Sequence, residues 1–522
     1  MQSYTLTVDK FLDHAAKWWG NAEVVTAEFG RIGYSNLRLR ANLLSGALAS
    51  LGLKVGDRIA TLAWNTQHHV ETYFGAMGMG LVCHTLNPRI TVAQLSAMVN
   101  EAEDRVLAVS VGLANLARDV ALQCSCVETI LILDGCAGDV VEIAGRRTLG
   151  FEDFVSRFGS EVAWGQFDEH SPAGLCYTSG TTGSPKGVLY THRSNYLHTL
   201  RALQADAIAL TAEDSILVAV PMFHANGWGF PFAAPAAGSK LVLPGRHTDG
   251  ERLAKLIRSE GVTIAAGVQT VWLGLLDYLD ATGGEVPTLE RVLIGGSTCP
   301  DALIERMEKR LKAHVQTSWG MTELSPLGTV APPRGNGSAV ASGRTPMGLD
   351  LKLTDASGVT LAEQRNVTGH LKVKGAAVVD RYFKAEADSL DAEGYFDTGD
   401  LATIDDEGNL TISGRSKDLI KSGGEWINPV EIESIVGRLP GVGQVAVIGQ
   451  ADPKWGERPL LVVEPQRSQV LDDRVLLDAL RGNVADWWIP DHVIQVAEMP
   501  LAATGKIDKK RLRAEYAGVQ PD

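Results

Sequence analysis

Hydrophobic residues recur at two different spacings along roughly the first 160 residues. Residues 34–51 carry apolar side chains at helical spacing, residues 58–63 form a short apolar run typical of a buried strand, and residues 69–77 return to helical spacing. Strands that alternate with helices predict an α/β fold with largely parallel sheets. The alternation resumes further on, with strands expected at residues 215–220, 263–266 and 291–294 and helices at residues 251–260 and 301–311.

The pattern changes in the last third of the chain. Short apolar runs separated by turn residues predict a small antiparallel β unit, with strands at residues 351–354, 369–373 and 410–412. A compact α+β domain is expected after Gly414. In it, Asn428 can cap a helix that begins at Pro429. Its other predicted elements are strands at residues 444–448 and 460–463, a helix at 472–483 and a strand near 493–496.

Length and composition narrow the class of protein. At 522 residues, with 45% hydrophobic and 21% charged residues, the chain predicts a soluble protein of at least two domains. Its formal charge of -14 and lack of basic blocks argue against nucleic-acid or anionic-membrane binding. We find no signal-peptide pattern and no apolar run long enough to span a bilayer, so we expect a cytoplasmic protein. The six cysteines have no zinc or redox spacing, which indicates incidental thiols.

One segment is rich in glycine and hydroxyl residues. Residues 177–188 read YTSGTTGSPKGV, in which glycines let the backbone close around phosphate oxygens and Lys186 adds a positive charge. A Walker A loop does not fit, because Pro185 stands where the second glycine is required and Gly187 replaces the Ser or Thr after Lys186. The segment therefore predicts a phosphate-binding loop of another class.

This loop resembles that of the adenylate-forming superfamily, which includes acyl- and aryl-CoA synthetases, luciferases and the adenylation domains of peptide synthetases. Six more segments resemble the family's motifs and follow in its order: PMFH at 221–224, GGS at 295–297, WGMTE at 319–323, YFDTGD at 395–400, GRSKD at 414–418 and ATGK at 503–506. The resemblance implies an N-terminal domain over residues 1–414, made of α/β subdomains at about 1–170 and 171–340 and a small β-barrel at 341–414. A mobile C-terminal domain would follow over residues 415–522, with a hinge at 415–418.

The resemblance also assigns the ATP site. Asp400 would take the ribose hydroxyls, with Arg415 as a second ribose contact, and Trp319 would stack on adenine. The phosphate loop would contribute Thr178, Ser179, Gly180, Thr181, Thr182, Gly183 and Lys186. The remaining nucleotide contacts would come from Gly295, Gly296, Ser297, Thr317, Ser318, Gly320, Met321 and Thr322.

The chemistry that the resemblance implies has two steps. A carboxylic acid and ATP give an acyl-adenylate and pyrophosphate, and the thiol of CoA then displaces AMP. Mg²⁺ would be held through Glu323 with help from Thr178, since it prefers oxygen ligands. Lys506 would lie between the acid and the α-phosphate and neutralise charge there. No covalent enzyme intermediate is required, so Cys176 is interpreted as a core residue.

The second step is expected to use another face of the C-terminal domain. Rotation about Lys417 would withdraw Lys506 and bring Lys421 and Trp426 to the nucleotide. The expected CoA contacts are Lys421, Ser422, Gly423 and Gly424.

The acid is expected to enter an apolar tunnel. Trp228 stands where fatty acyl-CoA synthetases carry a tryptophan gate, and no aspartate in residues 221–229 could hold an α-amine. The predicted tunnel residues are His224, Ala225, Trp228, Ala266 and Gly267, with His224 also a catalytic candidate. These features favour a fatty or other apolar acid, of short or medium to long chain.

Other interpretations stay open. The acid could be an aryl or steroid-side-chain acid, and the acyl group could go to a carrier protein or stay as the adenylate. A non-catalytic nucleotide-binding protein is a different class, disfavoured because Lys506, Glu323 and Asp400 are all present. The oligomeric state is undecided, with a homodimer as one outcome.

Overall fold

The computed structural model describes residues 1–2, 4–27, 29–135, 145–178, 185–296, 299–333, 341–423, 425–466, 469–502 and 506–517. Several predicted site residues lie outside these ranges: Ser179, Gly180, Thr181, Thr182, Gly183, Ser297 and Gly424. Within the described ranges, no helix combines the length and the apolar character that a bilayer crossing needs. The five described cysteines are free thiols.

The strands are numbered in chain order. They are β1 (Glu23–Thr26), β2 (Gly30–Gly33), β3 (Arg58–Leu62), β4 (Val82–Thr85), β5 (Val106–Val109), β6 (Thr129–Ile132), β7 (Arg147–Gly150), β8 (Pro172–Tyr177), β9 (Gly187–Thr191), β10 (Ser215–Val218), β11 (Lys240–Leu243), β12 (Ile264–Gly267), β13 (Arg291–Ile294), β14 (His314–Gly320), β15 (Leu327–Val330), β16 (Leu349–Thr354), β17 (Thr368–Gly375), β18 (Phe396–Ile404), β19 (Leu410–Arg415), β20 (Ile420–Ser422), β21 (Glu425–Ile427), β22 (Val442–Asp452), β23 (Gly456–Pro465) and β24 (His492–Gln495).

The α-helices are numbered in the same way. They are α1 (Asp9–Trp18), α2 (Tyr34–Ala49), α3 (Gln67–Gly78), α4 (Val92–Ala102), α5 (Ala114–Ala121), α6 (Phe151–Phe158), α7 (His192–Ala202), α8 (Phe230–Ala237), α9 (Gly250–Glu260), α10 (Gln269–Thr282), α11 (Asp301–Leu311), α12 (Pro429–Val436), α13 (Asp473–Asp478) and α14 (Lys509–Tyr516). Short helical turns lie at Val111–Leu113, Ala225–Gly229, Thr322–Leu324, Ser416–Asp418 and Asp486–Trp488.

Two large sheets form the core of the N-terminal part. The first has the order β7-β6-β5-β3-β4-β8-β9 and is parallel except for β9. The second has the order β15-β14-β13-β12-β10-β11-β1-β2, with antiparallel strands only at its two edges. Their strands are short buried apolar runs, as expected of parallel sheets covered by helices on both faces. Side chains of both sheets meet in one core with α1 and α8.

The boundary between the two α/β subdomains differs from the prediction. The segment that forms β1 and β2 precedes the first sheet in the chain but belongs to the second, because β1 pairs in parallel with β11. Conversely, β8 and β9 lie beyond residue 170 and close the first sheet. The chain therefore crosses between the sheets more than once, and no single cut at residue 170 separates them.

The third sheet is a meander with the order β16-β17-β18-β19. Among the described residues β16 does not pair with β19, so this unit is an open sheet and not the expected closed barrel. Four strands are too few to close around a packed interior. One face instead packs on Tyr190 and Trp319 of the neighbouring sheets.

The change from the third to the fourth sheet falls between Arg415 and Ile420. The fourth sheet has the order β21-β20-β23-β22, with β24 parallel to β23. As predicted, Asn428 caps α12, since its side chain accepts a 3.1 Å hydrogen bond from the backbone N–H of Val430. The predicted helix at 472–483 is shorter: α13 ends at Asp478, and the chain then turns through Gly482, whose φ is 74°.

Candidate active site

A cavity of about 200 Å³ opens where the carboxyl ends of several strands of the second sheet meet β19 and the C-terminal part of the chain. In parallel α/β sheets, ligands bind at this end of the strands. Its lining residues are Thr178, Lys186, Ile208, His224, Ala225, Trp228, Phe230, Leu293, Gly296, Ser318, Trp319, Gly320, Met321, Thr322, Glu323, Pro326, Leu327, Tyr382, Arg415 and Lys506. Residues from widely separated motifs thus face one volume.

The phosphate-loop end of the cavity contains Thr178, Lys186 and Tyr382. The backbone N–H of Thr178 donates a 2.9 Å hydrogen bond to the carbonyl of Lys186, which joins the two ends of the glycine-rich loop. The Lys186 ammonium lies 4.8 Å from the centre of the Tyr382 ring, a cation–π contact. Nothing in the sequence singled out Tyr382, which is an isolated tyrosine outside the recognised motifs.

Glu323 lies beside this end and is only 7% exposed. Its Oε1 accepts a 2.8 Å hydrogen bond from the Tyr382 hydroxyl. Burial raises the pKa of the Glu323 carboxyl, and the bond from Tyr382 opposes that rise. A cation placed against this carboxylate would relieve the cost of its burial.

The described residues contain no cluster of three or more His, Cys, Asp or Glu side chains that could hold a metal alone. The carboxylate of Glu323 and the hydroxyl of Thr178 do face the same cavity. Mg²⁺ is commonly bound by one or two carboxylates together with substrate phosphates and water. The residues present therefore fit a magnesium ion that arrives with a nucleotide.

Asp400 joins the third sheet to the nucleotide side of the cavity. It is 3% exposed; its Oδ2 accepts a 2.8 Å hydrogen bond from the Trp319 indole N–H, and its Oδ1 is paired with Arg415 at 2.8 Å. Burial raises the pKa of the Asp400 carboxyl, while Arg415 and the indole bond act in the opposite direction. The carboxylate thus fixes the aromatic ring and the guanidinium that the sequence placed beside the nucleoside.

The motif residues around Trp319 have different surroundings. Gly328 lies under the indole ring, so close that a Cβ there would fall 2.3 Å from Trp319 Cε3. The Ser318 hydroxyl donates to the carbonyl of Ile294 at 3.0 Å, and Ser318 lines the cavity. The Thr317 hydroxyl donates to the carbonyl of Ala341 at 2.6 Å, and Thr317 is not a lining residue. Gly295 is buried against Ser318 and Trp228.

Lys506 reaches the cavity from the C-terminal part of the chain. It faces the open volume, and its Cε lies 3.5 Å from the position that a Cβ on Gly296 would take. Surrounding protein desolvates the ammonium and, together with Arg415, lowers its pKa to about 8; Asp400 opposes this shift. A lysine held near cations without a full counter-charge is suited to an anionic ligand.

His224 lines the same cavity as Lys506. Desolvation, with Lys506 and Arg89, lowers the pKa of its imidazole to about 4, so the ring is neutral at physiological pH. The five residues that follow, Ala225–Gly229, all have left-handed backbone angles, with φ between 44° and 78°. This turn carries Ala225 and Trp228 into the cavity wall.

Five apolar residues form one part of the lining, which we call the apolar end of the cavity. Side chains from four different segments line it: Ile208, Phe230, Leu293, Pro326 and Leu327. The sequence did not indicate them, because buried apolar residues at this spacing look like any other core residues. Two predicted tunnel residues are not among the lining residues: Ala266 is packed in the core between the sheets, and the space beside Gly267 is taken by Trp272.

The residues predicted for the second step lie away from this cavity. Lys421, Ser422, Gly423 and Trp426 belong to the β20–β21 hairpin, where the Lys421 ammonium lies 5.4 Å from the Trp426 ring and the Gly423 N–H donates to Trp455. Lys417 is exposed in the turn between the third and fourth sheets. None of these residues lines the described cavity.

Cys176 does not behave as a nucleophile in this structure. It is buried at the end of β8, and its thiol donates to the side-chain oxygen of Asn226 at 3.5 Å. Burial raises the thiol pKa to about 11, whereas a reactive cysteine needs a lowered one.

Comparison with known proteins agrees with this arrangement. Residues 12–383 match the family described as "AMP-binding enzyme", and residues 431–506 match "AMP-binding enzyme C-terminal domain". The chain is 39% identical to a 3-methylmercaptopropionyl-CoA ligase of Ruegeria lacuscaerulensis, over 99% of this chain and 98% of the relative. It is 40% identical to a medium-chain-fatty-acid–CoA ligase of Ectopseudomonas oleovorans, over 99% and 97%. A long-chain-fatty-acid–CoA ligase of Thermus thermophilus is 37% identical, over 99% and 96%.

Solved structures share the whole architecture. The anthranilate CoA ligase AuaEII, in complex with anthranoyl-AMP, has a TM-score of 0.89 at 23% identity, covering 98% of both chains. ATP-bound MatB from Rhodopseudomonas palustris has a TM-score of 0.85 at 25% identity, covering 98% of this chain and 99% of that one. The family match spans most of the chain, and its motifs meet in one cavity. The protein belongs to the AMP-binding enzyme family.

Proposed function

We propose that this protein is an ATP-dependent acid–CoA ligase that joins a short- to medium-chain apolar carboxylic acid to CoA through an acyl-adenylate. The observation that carries the proposal is the position of Lys506, which faces the same cavity as Glu323, Arg415 and Trp319. An AMP-forming ligase must bring a carboxylate up to a triphosphate, and the lining of this cavity combines cationic side chains, motif residues expected at the nucleotide and a group of apolar side chains, which supports the proposal.

The first step is governed by charge. The acid's carboxylate attacks the α-phosphate of ATP, and pyrophosphate leaves. Lys506 donates hydrogen bonds to both reacting anions and lowers their repulsion, while Lys186 holds the leaving phosphates. Mg²⁺, held by Glu323 and Thr178, would draw charge from the phosphates when bound. Asp400 and Arg415 fix the ribose, so the α-phosphate is presented to the acid in one orientation.

The acid's chain is placed in the apolar end of the cavity. Ile208, Phe230, Leu293 and Leu327 offer no charged group or side-chain hydrogen bond donor there. A buried amine, hydroxyl or second carboxylate would lose its hydration without compensation. The neutral imidazole of His224 lines the same cavity and is close enough to Lys506 for the ammonium to lower its pKa. A saturated acid, or one with a thioether such as that named for the Ruegeria relative, is therefore favoured.

The second step requires a different arrangement of the C-terminal domain. Lys506 occupies the place where the thiol of CoA would have to approach the acyl-adenylate, while the β20–β21 hairpin lies outside the cavity. Rotation at the Ser416–Asp418 turn would exchange the two, and the expected CoA contacts Lys421, Ser422 and Gly423 lie just beyond it. The cytoplasmic location expected from the sequence stays a prediction.

The test is AMP release from ATP with a series of straight-chain acids from acetate to laurate, each with and without CoA. Phenylacetate, malonate and alanine serve as aromatic, dianionic and zwitterionic controls. The proposal predicts CoA-dependent AMP release and acyl-CoA formation that is highest with a short or medium apolar acid. Absence of CoA-dependent turnover with every acid would reject it, and a preference for malonate or alanine would reject the apolar pocket.

A further inference from the structure

Two polar side chains of α7 are buried directly behind the apolar end of the cavity. His198 is 2% exposed and Arg201 is 3% exposed, and neither belongs to a recognised motif. Histidine and arginine side chains are rarely buried to this extent unless they are hydrogen-bonded to other groups of the protein. Each contacts a segment that contributes to the cavity lining; the two segments, called walls below, are the Ala225–Gly229 turn with Phe230, and Pro326 with Leu327.

Arg201 binds the second wall through its guanidinium. One of its terminal nitrogens donates to the carbonyls of Leu324 and Leu327, on either side of the wall residue Pro326. Its Nε finds no hydrogen-bond acceptor within the described ranges, and burial alone lowers the pKa of the group to about 10. The guanidinium therefore binds two backbone carbonyls of one loop. A buried cation that is hydrogen-bonded in this way fixes the backbone path of that loop.

His198 joins the two walls. Its Nε2 accepts a 3.1 Å hydrogen bond from the backbone N–H of Leu327, so the proton of the neutral ring is on Nδ1. The other edge of the ring lies against Gly229, where an added Cβ would fall 2.8 Å from His198 Cε1. The imidazole thus acts as a spacer between Leu327 on one wall and the end of the left-handed turn on the other.

The Ala225–Gly229 turn needs contacts with neighbouring residues to keep its backbone conformation. Three of the turn's residues, Ala225, Asn226 and Trp228, are not glycine and still have positive φ. Such angles persist only where surrounding contacts impose them. Cys176 holds the turn at Asn226, and His198 packs on its last residue.

We propose that His198 and Arg201 are positioning residues that set the width of the acyl pocket and thereby the length of acid that the enzyme accepts. The inference rests on the proposed acid–CoA ligase function. His198 fixes the separation of the two walls and Arg201 fixes the loop that forms one of them. Neither side chain is a lining residue of the cavity, so both act through Phe230, Pro326 and Leu327.

The test measures kcat/KM for straight-chain acids, from propanoate to decanoate, in His198→Ala, Arg201→Met and wild-type enzyme. The informative quantity is the ratio of kcat/KM for an acid two carbons longer than the wild-type optimum to that for the optimum itself. A relaxed wall should raise this ratio at least tenfold, since one methylene is worth roughly tenfold or more in a fitted pocket. The increase should come from KM for the acids, with KM for ATP changed by less than about threefold.

Two matched controls separate this effect from general loosening. His192 lies on the same helix and is also a buried neutral imidazole whose Nδ1 accepts a backbone N–H, from Val8. Arg146 donates in the same way to the carbonyls of Ala121 and Cys124, far from the cavity. His192→Ala and Arg146→Met should lower thermal stability without changing the chain-length ratio.

Three outcomes would overturn the proposal: an unchanged ratio in the folded His198→Ala and Arg201→Met enzymes, an equal shift in the controls, or an increase that appears only in KM for ATP. If the other variants do not fold, Arg201→Lys decides the question, because it keeps the positive charge but has fewer hydrogen-bond donors. Its chain-length ratio of kcat/KM should rise, and an unchanged ratio would contradict the proposal. Wild-type enzyme that turns over no acid would instead refute the proposed function itself.

Discussion

Single residues in the cavity, and Asp400 behind its lining, have ionisation behaviour that follows from their neighbours. Glu323 and Asp400 are carboxyls whose pKa burial raises, while His224 and Lys506 are bases whose pKa is lowered. Each shift favours the uncharged form of the side chain and so reduces the charge buried at the cavity. The proposed nucleotide and Mg²⁺ would supply counter-charges, so binding and ionisation should be coupled at this site.

The lowered pKa of Lys506 predicts a pH dependence. Only the ammonium can neutralise the two anions, and in the free enzyme it loses its proton as pH rises through about 8. The value of kcat/KM for adenylation should therefore be level below that pH and fall about tenfold per pH unit above it. Acid-dependent exchange of pyrophosphate into ATP, followed from pH 6 to 10, measures this.

Lys506→Arg provides the control for that profile. A guanidinium stays charged throughout the range, so a folded variant with residual activity should lack the fall near pH 8. A wild-type profile that is flat to pH 10, or a fall that is identical in the variant, would show that another group titrates.

The roles of single residues could be predicted from the sequence where those residues stand in short, recognisable motifs. Trp319, Arg415, Glu323 and Lys506 stand in recognisable motifs, and the structure brings them together in one cavity, with the motif residue Asp400 bound to two of them from behind; their roles stay predictions. Residues such as Ile208, Leu293 and Tyr382 reach the same cavity from unrelated segments. They line the cavity because of how those segments pack. The sequence pattern around an apolar residue in a parallel strand, or around a single tyrosine, does not show that the residue will line a cavity.

Among the elements, the left-handed turn at Ala225–Gly229 is the one most clearly tied to the acid pocket. It connects His224 with α8, so it determines where the imidazole, Trp228 and Phe230 stand. Its backbone angles are unfavourable for three of its five residues. The tertiary contacts of this element, more than its own sequence, hold its shape.

A pair of glycine substitutions measures one of those contacts. Gly229 and Gly283 both have left-handed angles, with φ of 78° and 67°, and both follow or precede a helix. Gly283→Ala should lower the free energy of unfolding only by the backbone penalty of about 1 kcal/mol, because nothing lies near its added Cβ. Gly229→Ala must also displace His198, which costs about 1–3 kcal/mol more.

The midpoints of thermal unfolding should therefore fall in the order wild type, Gly283→Ala, Gly229→Ala. Equal midpoints for the two variants would mean that His198 does not press on the turn. The acid KM gives a second readout, since only the substitution at Gly229 should change it.

Most elements were predicted well because their signals are short-range. The strand β13 and the helix α11 begin and end at the predicted residues, and Asn428 caps α12 as expected. The helix α13 is shorter than predicted because the polar segment after Asp478 turns back at Gly482. A helical spacing of apolar residues could not reveal where that turn begins.

At the scale of the whole molecule, ion pairs connect the C-terminal part of the chain to α11 and to the Ser416–Asp418 turn. Arg438, just after α12, forms an ion pair with Asp301 at the start of α11. Arg513 of α14 forms another with Asp418, at 2.8 Å. Both pairs are partly exposed, so each contributes at most about 1 kcal/mol. Contacts this weak are compatible with the rotation proposed for the C-terminal domain.

A reversible bridge between residues 301 and 438 tests that movement. Asp301→Cys and Arg438→Cys, joined by a bifunctional methanethiosulfonate reagent, should keep Lys506 in place. The bridged enzyme should retain acid-dependent pyrophosphate exchange and lose most acyl-CoA formation, and a reducing agent should restore it. Single-cysteine variants treated with the same reagent are the controls. Undiminished acyl-CoA formation by the bridged enzyme would show that no large rotation is needed.

The global arrangement was the least predictable part of the fold. The pairing of β1 with β11 joins strands more than two hundred residues apart, and it places the start of the chain in the second sheet. Neither strand carries a residue pattern that names its partner, since parallel pairing depends on packing of the intervening helices. The open third sheet has the same origin: strand count and pairing, rather than local spacing, decide whether a barrel closes.

We infer that the described cavity is an adenylation site completed by Lys506. Lys506→Ala tests it most directly, with the exposed Lys510 of α14 substituted in the same way as a control. Pyrophosphate exchange should fall by roughly a hundredfold or more, as expected when a charge-stabilising group is removed. Conversion of supplied acyl-adenylate and CoA to the thioester should stay within a few-fold of wild type, and Lys510→Ala should change neither step. An equal loss in both half-reactions of Lys506→Ala, or no loss in either, would contradict the account.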